Sequence, residues 1–250
     1  MKQKRKNLKK PVRYTDFVYG VHAVLELLSA KRRKVGVIYT TKKPIKSWNQ
    51  IKRLIPDYVE VSFVSRDALA NMAGTSDHQG IVAYVAPFPF TKKQFHPDKQ
   101  QFILVLDGVC DVRNVGAITR SAYCAGVDGI VLIQKGGAPL NAAAIKASAG
   151  LIEHAQIYVA MSIQSALLEL SKNGYNIYLA TLGKGENASQ VAFKEPVALV
   201  VGSEETGINK SVLKHGTRVL LPQRRSDISY NVSVATGILV FLIGTQLKKI

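Results

Sequence analysis

The sequence contains 250 residues, 47% of them hydrophobic, so it is long enough for one large domain or two smaller ones. Its 34 Lys and Arg against 17 Asp and Glu give a formal net charge of +17, which predicts a polyanionic partner such as RNA or DNA. The two cysteines, Cys110 and Cys124, have no CxxC spacing, and the histidines are scattered, which argues against a disulfide framework and a metal site. No apolar run approaches the roughly 18 residues needed to cross a bilayer, so we expect no membrane association and a reducing, cytoplasmic location.

The first part of the chain carries most of the positive charge. Residues 1–101 hold 20 Lys and Arg against 7 Asp and Glu, whereas residues 102–250 hold 14 against 10. The first 13 residues contain seven basic side chains and no acid, so residues 1–16 are predicted to be a flexible basic arm. Apolar patterns predict helices at 21–30, 47–55 and 66–73 and strands at 35–40, 59–64 and 80–86. Residues 17–86 are therefore predicted to form a compact α/β domain.

A second domain is predicted after a connecting segment. Residues 87–101 contain three prolines and no periodic pattern, which favours a linker. From residue 102 onward, six short apolar runs alternate with helical segments: FILVLD, DGIVLI, AQIYVA, NIYLAT, VALVVG and RVLLPQ. This alternation predicts an α/β domain over residues 102–250, with a mostly parallel sheet and helices on both faces.

The segment DVRNVGAITRSA at 111–122 is the first of three with more polar groups than a simple fold needs. It follows a buried strand ending at Asp107, and its helix is predicted to begin near Asn114. Gly116 precedes Arg120 by about one turn, and its missing side chain leaves room for a substrate or another backbone. A purely structural interpretation fits equally well: Asn114 as the N-cap, Gly116 as a tolerated glycine and Arg120 as a solvated surface residue.

The other two segments lie near the C-terminus. LVVGSEETGINKSVL at 199–213 places Gly202, Glu204 and Gly207 directly after an apolar strand, where open α/β sheets bind ligands. A left-handed turn and a carboxylate beside a helix would also explain them. DISYNVSVATGILVFLIGTQL at 227–247 begins an apolar helix with Ser229, Asn231 and Ser233, although one N-cap would suffice. The excess predicts a site.

Together the three segments resemble the signature motifs of the SpoU (TrmH-type) branch of the SPOUT RNA methyltransferases, most closely the members that methylate guanosine in 23S rRNA. Three sets of residues carry the resemblance: Asn114, Gly116 and Arg120; Gly202, Glu204, Gly207 and Pro222; and SYNVS at 229–233, where the family usually has SLNVS. Tyr230 therefore replaces a Leu. The resemblance covers residues 102–250 and extends to residues 17–86, which are similar to the family's ribosomal-protein-like RNA-binding domain.

The resemblance implies a deep trefoil knot, a homodimer, and S-adenosylmethionine as donor for methylation of a ribose 2′-hydroxyl. The donor pocket is expected to use backbone groups near Thr181, Leu182, Gly202, Leu221 and Tyr230. The expected catalytic set is Asn114, Arg120, Glu204, Ser229 and Asn231. Arg120 is expected to hold a phosphate and stabilise developing alkoxide charge, because a guanidinium does not readily lose a proton. Ser229 and Asn231 would position groups or relay the proton. Glu204 would orient Arg120 or the neighbouring loop, and Asn114 would fix the segment that presents Arg120.

Two other functions remain open from the sequence. A non-catalytic RNA-binding or ribosome-assembly factor would need only the basic N-terminal part, but it would not need the complete set of polar residues. A tRNA substrate in place of rRNA is disfavoured only by analogy, because tRNA-specific members tend to lack the N-terminal domain.

Overall fold

The computed structural model describes residues 13–43, 45–225 and 228–250. The chain divides into two compact units, residues 1–89 and 90–250. Most of the predicted basic arm, residues 1–12, lies outside the described residues. Among the described residues, no helix is both long and apolar enough to span a membrane.

The first unit is a four-stranded mixed sheet with three helices. Its strands are β1 (Asp16–Tyr19), β2 (Val35–Thr40), β3 (Glu60–Phe63) and β4 (Ile81–Val85), and its helices are α1 (Val21–Ala30), α2 (Trp48–Leu54) and α3 (Arg66–Ala73). The strand order is β1-β4-β2-β3, with β4 antiparallel to both neighbours. The predicted helices and strands of this unit are confirmed. Strand β1 was not predicted, and it starts inside the segment expected to be a flexible arm.

The second unit is built on a seven-stranded sheet. Its strands are β5 (Phe102–Asp107), β6 (Gly129–Ile133), β7 (Ile157–Ala160), β8 (Asn176–Ala180), β9 (Glu186–Asn187), β10 (Val197–Gly202) and β11 (Thr217–Leu220), and its helices are α4 (Val112–Cys124), α5 (Ala142–Ala147), α6 (Ile163–Lys172) and α7 (Val232–Gln246). The order is β7-β6-β5-β10-β8-β11-β9, and every pairing is parallel. The six predicted strands are confirmed, and the two-residue β9 was missed.

Both faces of this sheet are covered. Strands β5, β6 and β10 are buried at every position, as expected for parallel strands between two helical layers. On one face, Ile103 and Val105 join a core cluster that includes α6. On the other side, α4 packs against α5 and α7. Helices on both faces are therefore confirmed.

The segment predicted to be a linker contributes to the second unit. Phe95 is buried in the core cluster, and a Cβ at Gly129 would lie only 2.6 Å from its ring. Thr91 also donates a backbone hydrogen bond of 2.8 Å to the Ile157 carbonyl. The structure thus places the division between the units at residues 89 and 90, before most of the expected linker.

Candidate active site

The loop after β10 is a tight turn that contains Glu204. The backbone N–H of Gly207 donates to the Ser203 carbonyl at 3.0 Å, and the Ser203 N–H donates back at 3.2 Å. Gly207 has a φ of +67°, a conformation that favours glycine. A Cβ on Gly202 would lie 2.0 Å from the carbonyl carbon of Gly207, so no side chain fits there. The two glycines therefore close the turn that presents Glu204.

Glu204 joins all three polar segments. Its Oε1 accepts hydrogen bonds from Asn114 Nδ2 at 3.3 Å and from the backbone N–H of Val232 at 3.2 Å. Asn231 Nδ2 donates to the same oxygen. A carboxylate at the N-terminus of α7 is also favoured by the helix dipole. Glu204 thus contacts the start of α7 and the first turn of α4.

Asn231 both caps α7 and links it to α4. Its Oδ1 accepts from the backbone N–H of Ser233 at 2.9 Å, which satisfies a donor that the helix leaves open. Its Nδ2 donates to Asn114 Oδ1 at 3.3 Å, besides its bond to Glu204. Both the oxygen and the nitrogen of the Asn231 amide are therefore engaged in hydrogen bonds.

Helix α4 begins earlier than the sequence predicted. The N-cap is Asp111, whose Oδ1 accepts from the backbone N–H of Arg113 at 2.7 Å, and the first helical residue is Val112. The predicted start near Asn114 is wrong because Asp111, three positions earlier, is an equally good capping residue and takes the N-cap position. Asn114 does not cap the helix, so its amide can reach Glu204.

Two residues of α4 have different surroundings. A Cβ on Gly116 would lie 2.4 Å from the Ala144 carbonyl oxygen, so this glycine admits the backbone of α5. Arg120 is exposed, and among the described residues it makes no hydrogen bond or ion pair. In particular, Glu204 does not orient it here, although that was one of the roles expected for Glu204.

A cavity of about 350 Å³ opens beside the three segments, at the carboxyl ends of β8, β10 and β11. All five residues expected near the donor line it: Thr181, Leu182, Gly202, Leu221 and Tyr230. Glu204 and Ser229 also line it, whereas Asn114, Arg120 and Asn231 lie outside the lining. The Ser229 hydroxyl makes no hydrogen bond with any described residue.

Sequence reasoning missed one wall of this cavity. Val232, Ala235, Thr236 and Leu239 line it from α7. Their spacing of i, i+3, i+4 and i+7 marks one helix face, which was a usable signal. It was hidden because α7 is apolar around most of its circumference.

A second cavity, of about 310 Å³, shares residues 206–208 and 210 with the first and is also lined by Asp107. Asp107 Oδ2 accepts from the backbone N–H of Asn209 at 2.9 Å, which ties the end of β5 to the loop between the cavities. Burial raises the pKa of the Asp107 carboxyl above its ordinary value, and the hydrogen bond from Asn209 opposes that rise. No cluster of three or more His, Cys, Asp or Glu suited to a metal ion occurs in the described part of the chain.

Comparison with known protein families assigns both units. Residues 101–241 match the model of the SpoU rRNA Methylase family, which is more than half of the chain. The chain belongs to the SpoU rRNA methylase family. Residues 17–91 match a second model, described as RNA 2′-O ribose methyltransferase substrate binding. The resemblance drawn from the three motifs is thereby confirmed, and the protein is an RNA methyltransferase.

Relatives of this SpoU protein match it over nearly its whole length. The 23S rRNA (guanosine-2′-O-)-methyltransferase RlmB of Blochmanniella floridana is 32% identical, covering 94% of this chain and 96% of the relative. A solved RNA 2′-O ribose methyltransferase superposes with a TM-score of 0.80 at 22% identity, covering 93% and 88% of the two chains. The AdoMet-bound rRNA methyltransferase from Sinorhizobium meliloti gives a TM-score of 0.78 at 20% identity, covering 93% and 87%. These two structural likenesses establish the fold of the SpoU protein.

Proposed function

We propose that the protein transfers a methyl group from S-adenosylmethionine to the ribose 2′-hydroxyl of a guanosine in 23S rRNA. The observation that carries this proposal is the meeting of Asn114, Glu204 and Asn231 beside the cavity formed by the loops after β8, β10 and β11. The choice of rRNA and of guanosine rests on the name of the relative that matches nearly the whole chain.

The cavity suits the donor in size and chemistry. Its volume of about 350 Å³ falls in the range of roughly 300–1,000 Å³ common for small-molecule sites. Leu182, Leu221 and Leu239 supply apolar walls for an adenine ring. The backbone beside Gly202 is open because that residue has no side chain. Thr181, Leu182, Gly202, Leu221 and Tyr230 are therefore proposed to hold the donor, with Tyr230 replacing the family's usual Leu.

The reaction needs alignment and removal of one proton. When bound, S-adenosylmethionine supplies an electrophilic methyl on a sulfonium; the methyl–sulfur bond breaks as the methyl–oxygen bond forms. Arg120 remains charged and is proposed to hold a substrate phosphate and stabilise the alkoxide. The Ser229 hydroxyl has no partner among the described residues, so it is proposed to accept a hydrogen bond from the ribose hydroxyl and to pass the released proton on to solvent water. Asn114, Glu204 and Asn231 position this set.

A homodimer is proposed on the basis of α7. Its outer surface exposes Val234, Ile238 and Phe241 at i, i+4 and i+7, with exposed fractions of 50%, 38% and 58%. An apolar stripe of this kind is typical of a surface that another protein covers. Because Arg120 has no hydrogen-bond or ion-pair partner among the described residues, a dimer in which it serves the neighbouring cavity is consistent with its exposure. The deep trefoil knot and the cytoplasmic location also remain proposals; the free, exposed Cys110 and Cys124 fit a reducing compartment.

Two measurements test the proposed function. Purified protein should transfer label from S-adenosylmethionine to unmodified 23S rRNA, and mapping should place the methyl on a guanosine ribose. Ribosomal RNA from a strain without the protein should lack the same methylation. If label appears only in tRNA, the substrate is tRNA and not rRNA. Absence of both transfer and donor binding by calorimetry would favour a non-catalytic RNA-binding factor.

A further inference from the structure

The sheet of the first unit has two unlike faces. One face carries Val18, Ile38 and Ala83, which are fully buried. On the opposite face, strand register places Phe17 beside Tyr84 and Tyr19 beside Val82, and Tyr39 pairs with Val82 from the other side. Four aromatic residues on three adjacent strands therefore share one face. We call Phe17, Tyr19, Tyr39 and Tyr84 the aromatic face.

The rings of the aromatic face form a continuous series. The centroids of Phe17 and Tyr84 are 6.2 Å apart, and those of Tyr39 and Tyr84 are 5.9 Å apart in an edge-to-face arrangement. Phe17 and Tyr19 are 6.3 Å apart and nearly parallel. Phe17, Tyr39 and Tyr84 are partly exposed, whereas Tyr19 is buried. Three aromatic rings therefore present part of their surface to solvent. The sheet itself does not require rings at these positions, because smaller apolar residues could form the same strands.

Lysines lie next to both ends of β2. Lys34 directly precedes β2, and Lys42 and Lys43 follow it; all three are exposed. Two acids lie near the aromatic face. Glu60 stands at the sheet edge, where it accepts a hydrogen bond from the Ser62 hydroxyl at 2.9 Å. Asp77 is close enough to Tyr19 that, after burial, its negative charge helps to raise the pKa of the Tyr19 hydroxyl. Aromatic surface flanked by lysines is complementary to nucleotides, whose bases stack on rings while their phosphates bind cations.

We propose that the aromatic face is a stacking platform for unpaired nucleotides of the RNA substrate. The inference rests on the proposed function only in taking RNA as the substrate. Paired bases in an A-form helix cannot lie flat on a protein ring, whereas the bases of loops, bulges and single strands can. The platform therefore selects unpaired RNA, and the flanking lysines hold its backbone.

Leucine substitutions test the stacking surface in the full-length protein. Tyr84→Leu and Tyr39→Leu remove a π face but keep apolar bulk, whereas Tyr84→Phe keeps the ring. We expect each Leu variant to weaken binding of a short oligouridylate by about 5- to 150-fold, the range for losing one stacked base. The salt dependence should not change, because no charge is removed. Tyr84→Phe should bind like the wild type.

The matched control is Tyr58→Leu. Tyr58 is 66% exposed in the same unit but lies outside the strands of the sheet, so its loss should leave oligouridylate binding unchanged. A fully paired RNA duplex serves as the second probe, and its affinity should be unchanged in all variants. Equal binding of oligouridylate by the wild type and both Leu variants would overturn the proposal. A Leu variant that changes only the oligomeric state would identify the face as a contact between copies.

A cross-linking experiment on the wild type covers the case in which a Leu variant fails to fold. Oligouridylate carrying 5-iodouridine should cross-link under ultraviolet light to Phe17, Tyr39 or Tyr84, located by mass spectrometry. Adducts confined to other residues would contradict the platform. Binding is measured without the methyl donor, so this result is independent of catalysis. If the wild type methylates rRNA but forms no adduct on the aromatic face, only the platform proposal is contradicted. If it forms these adducts but does not methylate RNA, only the proposed reaction is contradicted.

Discussion

The side-chain amide of Asn114 donates a hydrogen bond of 3.3 Å to Glu204, joining two segments that are 90 residues apart in the chain. The same carboxylate oxygen accepts from the first backbone N–H of α7, at Val232. One carboxylate therefore fixes the start of α7 relative to α4. The charge and the geometry of Glu204 both contribute, since hydrogen bonds to ionised groups are the stronger ones.

Replacing Glu204 by Ala should remove these bonds and leave Asn114 and Asn231 without their shared acceptor. We expect the free energy of unfolding to fall by about 1–3 kcal/mol, measured by urea denaturation, and methyl transfer to decline with it. Glu205→Ala is the control for stability, because Glu205 makes no hydrogen bond with the described residues. Equal stability of the two variants would show that the Glu204 contacts contribute nothing.

Replacing Arg120 by Ala should abolish most methyl transfer without lowering the affinity for the methyl donor. Loss of one electrostatic group that acts in the transition state costs on the order of 10²-fold or more in turnover. Donor affinity, measured by calorimetry, should be nearly unchanged, because Arg120 does not line the cavity. Arg113→Ala, on the same helix and with an 85% exposed side chain, should keep most activity. Near wild-type turnover in Arg120→Ala would make this arginine a solvated surface residue.

Gly116→Ala should destabilise the protein, although alanine usually favours a helix by about 1 kcal/mol over glycine. The new Cβ would meet the Ala144 carbonyl oxygen at 2.4 Å and the Ala147 Cβ at 2.6 Å, so α4 and α5 would have to separate. Gly237→Ala is the matched control, because its nearest contact is an ordinary 3.5 Å from Ser121 Oγ. Thermal denaturation should lower the Tm of Gly116→Ala and preserve or raise that of Gly237→Ala. The opposite order would contradict the close helix packing.

The sequence predicted regular elements better than it predicted which atoms meet. Continuous apolar runs revealed β5 and β10, because a parallel strand between two helical layers has no polar face. The two-residue β9 carries no such pattern, and β1 is too short for alternation to stand out. The link between Asn114 and Glu204 was equally hidden, since it depends on β10 lying beside β5, which is a property of topology. Family resemblance, and not periodicity, brought these residues into one set.

The buried carboxyl of Asp107 should make stability depend on pH. Burial raises its pKa in the folded state, so ionisation costs the folded protein more than the unfolded chain. Below the ordinary aspartate pKa, Asp107 is protonated in both the folded and the unfolded chain, and this cost is absent. The free energy of unfolding then falls as the pH rises from the ordinary pKa through the raised one. Asp107→Asn should remove this loss, as urea denaturation across that pH range would detect. An Asp107→Asn profile identical to the wild type would contradict the assignment.

Chains shortened from the N-terminus should separate RNA recruitment from folding. A chain beginning at Phe90 keeps Phe95 in the core and should still bind the donor, whereas one beginning at Gln101 loses that ring and about 3–5 kcal/mol of stability. The Phe90 chain should bind RNA weakly, with a salt-dependence slope smaller by roughly 0.7–0.9 for each phosphate contact removed. Fluorescence anisotropy at several salt concentrations measures both quantities. Undiminished RNA affinity with the full slope would show that the first unit and its basic residues do not recruit RNA, and equal stability of the two shortened chains would show that residues 90–100 are a free linker after all.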